Sequence, residues 1–168
     1  MYIVANRILN KRIDNRYYLK LNRKSSCLEI YKKTDTKVLW DNYPIKQDFD
    51  ASDYVMYELA KIMPCIFGGN GKTQTPAGIF NIEKVSSFEY ISPYHPKFDQ
   101  VKFFGYLVVF EDYFIHSDMY SMDVNMDNFR EKESISLHDE HTSGCIRVLQ
   151  DNLNWLIENI PEGTTIEM

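Results

Sequence analysis

The stretch Val101-Lys102-Phe103-Phe104-Gly105-Tyr106-Leu107-Val108-Val109-Phe110 constrains the fold of this chain more than any other. It is a nearly continuous run of β-branched and aromatic residues, and a second run, Tyr113-Phe114-Ile115-His116, follows after Glu111-Asp112. Two such runs joined by two polar residues read as a β-hairpin. Apolar continuity without alternation belongs to strands covered on both faces, so this hairpin is expected at the centre of a sheet. His116 then falls at a strand end, where a side chain can reach a cleft.

The rest of the chain follows the same strand-rich pattern. Tyr17–Leu21, Cys27–Tyr31 and Val38–Tyr43 are short aromatic and β-branched runs between polar turns, a meander of antiparallel strands. In Ser52–Met63 the apolar residues Val55, Met56, Leu59, Ile62 and Met63 recur at helical spacing, with Ser52 as N-cap and Pro64 after the end, which predicts a helix. Gly68-Gly69-Asn70-Gly71 is a loop; it lacks the spacing and the following Lys-Ser/Thr of a phosphate-binding loop. Thr75-Pro76-Ala77-Gly78 is a turn into a strand near Phe80–Val85, and Ser86–Gln100, with Pro93, His95 and Pro96, reads as loop. Residues 117–140 are polar and acidic without a period, a long surface loop or lid. Asp151–Ile160 places Leu153, Leu156, Ile157 and Ile160 on one helical face, and Thr164–Glu167 forms a last strand. The expectation is one mainly-β domain, a β-sandwich or irregular barrel with one inserted helix and one C-terminal helix. It spans residues 17–168, preceded by an N-terminal extension over 1–16.

Charge is unevenly spread. Nineteen Lys and Arg stand against twenty-four Asp and Glu, a net charge of −5, yet residues 1–33 hold nine basic residues and two acidic ones. A solvated edge strand protected by its Lys and Arg accounts for this basic front, and no nucleic-acid motif accompanies it. No apolar run is long enough to cross a membrane. The first residues, Met1-Tyr2-Ile3-Val4-Ala5-Asn6-Arg7, meet a charge before any signal-peptide core forms. Export is therefore expected to use a removed signal or another route, unless the protein stays inside.

Chemistry concentrates at His141-Thr142-Ser143-Gly144-Cys145-Ile146-Arg147. Three cysteines (Cys27, Cys65, Cys145) cannot all pair within the chain, so at least one thiol is free. A thiol becomes a nucleophile when a neighbouring imidazole or cation favours the thiolate, and Arg147 and several histidines lie near Cys145. Gly144 removes a side chain beside the thiol, which opens an approach for a substrate carbonyl and backbone N–H donors. The base is expected among His116, His138 and His141, with His95 more remote. His138, His141 and Cys145, with His116, also have the residue types of a zinc site, but no second clustered cysteine supports that alternative.

Together these segments carry a resemblance. Thr142-Ser143-Gly144-Cys145-Ile146-Arg147 resembles the signature of the L,D-transpeptidase (YkuD-type) catalytic domain, usually Ser/Thr-His-Gly-Cys, a hydrophobic residue, then Asn or Arg. Phe114-Ile115-His116-Ser117 resembles the family's strand-end histidine, Thr75-Pro76-Ala77-Gly78-Ile79-Phe80 its Thr-Pro-x-Gly-x-Phe turn, and Pro161–Ile166 its closing strand. Leu28-Glu29-Ile30-Tyr31 fits an early strand of the family. Ser143 departs from the pattern, standing where most members have a second histidine. The interval from His116 to Cys145 is also longer than usual, as if residues 117–140 were an inserted lid.

The resemblance implies a bacterial cell-wall enzyme that joins peptidoglycan stem peptides through a thioester on Cys145 with release of D-Ala. It implies His116 as base, Gly144 and Ser143 beside the thiol, Arg147 as brace, and Ser117, His141 and Thr142 as substrate contacts. Carbapenems are the implied inhibitors and the cell envelope the implied location. Neither cofactor nor metal is required. The same chemistry ending in water gives a carboxypeptidase or amidase, and a catalytically silent wall-binding relic is a further alternative. A sortase-like enzyme normally carries its arginine further downstream, on another strand.

Overall fold

The structure is a computed structural model describing residues 2–4, 7–11, 13, 15–34, 54–69, 73–93, 95 and 98–168. Its strands, in chain order, are β1 (Tyr2–Val4), β2 (Arg7–Lys11), β3 (Tyr17–Asn22), β4 (Cys27–Lys33), β5 (Tyr54–Ile66), β6 (Ile79–Asn81), β7 (Lys84–Ser92), β8 (Val101–Phe110), β9 (Tyr113–His116), β10 (Ile146–Val148) and β11 (Thr165–Glu167). Helix α1 (Gln150–Asn159) lies between β10 and β11. Hydrogen-bonded neighbours run β6-β11-β3-β4-β5-β10-β9-β8-β7, with β2 added to β5 and β1 to β2. The sheet curls into a half-barrel, the mainly-β fold expected from the chain.

The hairpin β8–β9 forms as its sequence predicts, with Leu107 opposite Ile115 and both wholly buried. Together with Leu28, Ile30, Met63, Ile146 and Ile166 they build the main core, closed by Leu153 and Leu156 of α1. Gly105 lets α1 approach: a Cβ there would stand 2.6 Å from Ile157 Cδ1, and its φ of +84° suits glycine.

The helix expected over Ser52–Met63 is corrected to a strand over its described part: Tyr54–Ile66 is the thirteen-residue β5. Helical spacing puts Ile62 and Met63 on one face, yet Ile62 is 55% exposed and Met63 wholly buried, as alternation along a strand requires. β5 pairs with β2, β4 and β10, and this long-range pairing overrides a local period. Ser86–Gln100 is corrected in part, because Lys84–Ser92 is β7, paired to β8 with an irregularity between Ser86 and Glu89. A bulge blurred the alternation that marks a strand. The strand expected over Val38–Tyr43 lies outside the described residues.

The basic front is not simply a solvated edge. β3 and β4 each have strand neighbours on both sides. Lys20 pairs with Glu167 at 3.9 Å, and Arg23 donates to the carbonyls of Thr75 (2.8 Å) and Pro76 (2.9 Å), bracing that turn.

Residues 117–140 leave the sheet and return to it. Tyr120 exchanges two backbone hydrogen bonds with Lys102 (3.0 and 2.8 Å), and Tyr120, Val124 and Phe129 cluster on Phe104. Phe129 stacks on Phe104 at 4.4 Å, carried by a short 3₁₀ turn at Phe129–Glu131.

Candidate active site

The floor of the site is the parallel pair β9–β10, with Ile146 opposite Ile115 and Arg147 opposite His116. Side chains alternate along a strand, so residues two apart share a face. Ile115 and Ile146 point into the core, whereas Phe114, His116, Cys145 and Arg147 all line one cleft of about 330 Å³. Tyr90 and Phe103 close one wall; Met119, Ile135 and Asp139 of the 117–140 excursion contribute to another.

The loop before β10 is held by threonines. Thr142 Oγ1 accepts the Gly144 N–H (3.1 Å) and donates to the Cys145 carbonyl (2.5 Å). Thr75 Oγ1, wholly buried, accepts the Gly68 N–H (2.8 Å) and donates to the Gly144 carbonyl (2.7 Å). Gly68 must be glycine, because a Cβ there would lie 1.9 Å from the Thr73 carbonyl oxygen and 2.8 Å from Gly144 Cα. Gly144 has φ +124° and its missing side chain makes room for Tyr113, 2.5 Å from where a Cβ would sit. The space freed by the missing Gly144 side chain is thus filled by Tyr113, and the glycine itself is buried.

His116 is 3% exposed and stacks on Phe103 at 4.2 Å. Its Nδ1 lies 2.6 Å from the Ser117 carbonyl, which accepts a proton held there. That tautomer leaves Nε2 as the unprotonated nitrogen. Burial, aided by the Arg147 charge and partly opposed by the Ser117 carbonyl, pushes the imidazole down to about 3, so it is neutral at ordinary pH. Cys145 Sγ accepts the Phe114 N–H (3.4 Å) and donates to the Asp112 carbonyl (3.7 Å). Burial raises its thiol pKa, only partly offset by the Phe114 N–H and Arg147. Burial thus works against the charged form of both groups, and thiol and imidazole share the cleft without a direct hydrogen bond between them.

Arg147, 6% exposed, donates from Nη1 to the Ser136 carbonyl (3.3 Å) and to Asp139 Oδ2 (3.1 Å), while its buried Nε has no partner among the described residues. It ties the excursion to the floor.

Of the residues predicted from sequence, Cys145, His116, Arg147, Ser143, Thr142 and His141 all line the cleft. Ser117 does not: its hydroxyl donates to Gln150 Oε1, and its carbonyl serves His116. His138 is exposed and outside the cleft, whereas His95 lines it. Sequence reasoning missed Thr75, Gly68 and Asp139 as parts of the site. A threonine before proline reads as turn chemistry alone, and only tertiary contact reveals its second duty.

A curled sheet whose parallel centre presents a thiol, a buried imidazole and a guanidinium to one cleft defines a narrow class of β-protein. The family model described as the L,D-transpeptidase catalytic domain (YkuD) matches residues 48–168, and the chain belongs to that family. Solved structures share the fold. One is a fused Zn-dependent amidase/peptidase/peptidoglycan-binding domain-containing protein from Clostridium acetobutylicum (15% identity, 94% of this chain and 53% of that one, TM-score 0.55). Others are an L,D-transpeptidase from Mycobacterium smegmatis (14%, 90% and 58%, 0.56) and the LD transpeptidase LdtMt1 in complex with imipenem (13%, 90% and 58%, 0.57). The chain spans little more than half the length of these structures. No curated protein matches it.

Proposed function

We propose that this protein is a cysteine L,D-transpeptidase acting on peptidoglycan stem peptides in the bacterial cell envelope. The observation that carries the reading is the shared face of β9 and β10, which presents Cys145, His116 and Arg147 to one cleft. Residues 17–168 act as the catalytic unit and 117–140 as its lid; residues 1–16 form an extension whose Arg7–Lys11 strand pairs with β5.

Donor binding turns the thiol from the Asp112 carbonyl toward His116 Nε2. The neutral imidazole takes the thiol proton as sulfur attacks the carbonyl preceding the terminal D-Ala. The Gly144 N–H is already held by Thr142, so we assign the oxyanion to the Cys145 N–H, a contact of a type worth roughly 3 kcal/mol of barrier. His116 returns its proton to the departing D-Ala amine. A second stem's amine then attacks the thioester and completes the cross-link. Ser143, exposed at the cleft rim, and His141 and Thr142 contact substrate.

The second reading is a catalytically silent wall-binding module, which the desolvation of the Cys145 thiol supports because it works against the thiolate. Mass spectrometry after incubation with imipenem decides between them. Wild-type protein gains the mass of one carbapenem and Cys145→Ala gains none; an unmodified wild type, or an acylated Cys145→Ala, overturns the assignment. Product analysis with and without an acceptor amine separates cross-linking from the carboxypeptidase or amidase outcome.

A further inference from the structure

The tautomer of His116 depends on one carbonyl. Stacking on Phe103 fixes the plane of the imidazole but not which nitrogen holds the proton, and the Ser117 carbonyl, 2.6 Å from Nδ1, makes that choice. Strand pairing does not hold this carbonyl. β9 ends at His116, opposite Arg147, and the chain rejoins the sheet at Tyr120, which bridges to Lys102. Between those two points lies Ser117, 1% exposed, whose hydroxyl donates to Gln150 Oε1.

Gln150 is the first residue of α1, yet its carboxamide turns to the sheet. Its Nε2 donates to the Phe104 carbonyl of β8 (3.1 Å) and to Asn154 Oδ1 one turn on (2.9 Å). A backbone carbonyl only accepts, so the amide nitrogen must face Phe104 and the amide oxygen must face Ser117. Ser117 is thereby obliged to donate, and the order of donors and acceptors is fixed from Phe104 through Gln150 to Ser117. The anchor is firm. Leu153 and Leu156 of α1 are wholly buried in the core, and Ile157 packs over Gly105 of β8.

We propose that Gln150 is a positioning residue for the catalytic base: by holding Ser117 it aims the carbonyl that keeps the His116 proton on Nδ1 and leaves Nε2 bare for the Cys145 proton. The proposal rests on the transpeptidase reading, in which His116 is the base. Without Gln150, neither a strand ladder nor a hydroxyl bond holds the peptide after Ser117, and its carbonyl turns away from Nδ1. The buried ring then carries its proton on Nε2 in most molecules. An Nε2 already protonated has no lone pair for the thiol proton, so the acylation rate falls with the competent fraction. Simple loosening of α1 would leave the tautomer alone.

The test uses the full chain, isotopically labelled at the histidine ring nitrogens, with Gln150→Leu, Ser117→Ala and the double variant. NMR reads the tautomer of His116, its resonances assigned by their loss in His116→Gln. Wild-type protein is expected to carry the proton on Nδ1. In each single variant the Nε2–H form is expected to dominate, and acylation of Cys145 by imipenem to slow about tenfold. Combining the two is expected to add nothing, because both act through one hydroxyl. An unchanged Nδ1–H signature in Gln150→Leu overturns the proposal, as does a double variant whose loss of rate is the product of the two single losses. Should Gln150→Leu not fold, Gln150→Asn, one methylene too short to reach both Ser117 and Phe104, takes its place with the same expectations. A wild-type Cys145 that imipenem never acylates sinks the transpeptidase reading instead, and the tautomer, which needs no acylation, still decides whether Gln150 holds the ring.

Discussion

The floor of the cleft and the excursion over it are built on different principles. On the floor, backbone register decides: Arg147 is opposite His116, and every second side chain follows to the same face. The excursion has two backbone bonds at Lys102–Tyr120, and otherwise side chains hold it, through the Phe104 cluster and the Arg147–Asp139 pair. Register cannot drift by part of a residue, whereas side-chain packing loosens by degrees. The proposed catalytic groups stand on the first kind of support and the proposed lid on the second.

The strongest way to break this comparison is at Phe129. Phe129→Ala removes the ring stacked on Phe104 and is expected to cost about 3–5 kcal/mol of local stability. Hydrogen exchange should accelerate over 117–140 while β9 and β10 stay protected; equal loss in both regions would mean they are one unit. Next is Gly68→Ala, which drives a methyl into the Thr73 carbonyl and Gly144, at about 3 kcal/mol by denaturant unfolding. Here the cysteine loop, not the excursion, should lose protection. Thr75→Val leaves the buried Gly68 N–H and Gly144 carbonyl unpaired and should cost about 2–3 kcal/mol, with slower Cys145 acylation by imipenem.

A smaller effect is expected from Asp139→Asn, about 1–2 kcal/mol, because Asp139 is 31% exposed and water partly replaces it. Smallest near neutrality is the pH term of His116. The unfolded imidazole binds a proton below about 6.5 and the folded one only near 3, so stability is full above 6.5 and falls as pH drops through that window. The loss is below about 1 kcal/mol at pH 6 and approaches ~1.4 kcal/mol per pH unit below pH 5. It is read as the difference between wild-type and His116→Gln unfolding curves, and identical slopes would show that His116 is not buried neutral.

The chain by itself determined the parts whose physics is local. Apolar continuity over Val101–Phe110 and Tyr113–His116 marked the central hairpin, and the Leu153, Leu156, Ile160 spacing marked α1. The loop around Cys145 was legible as a gathering of His141, Cys145 and Arg147, and the structure brings all three to one cleft. Tertiary structure alone decided the rest. β5 is a strand because β2, β4 and β10 pair with it, and a pairing partner far along the chain leaves no mark on a local period. Thr75, Gly68 and Asp139 join the site only because folding brings β5, the Thr75 turn and the excursion against one loop. The direction in which the Cys145 and His116 pKa values move was set the same way. Sequence spacing showed them as neighbours in chemistry, but only the fold sets the desolvation that works against the charged form of each.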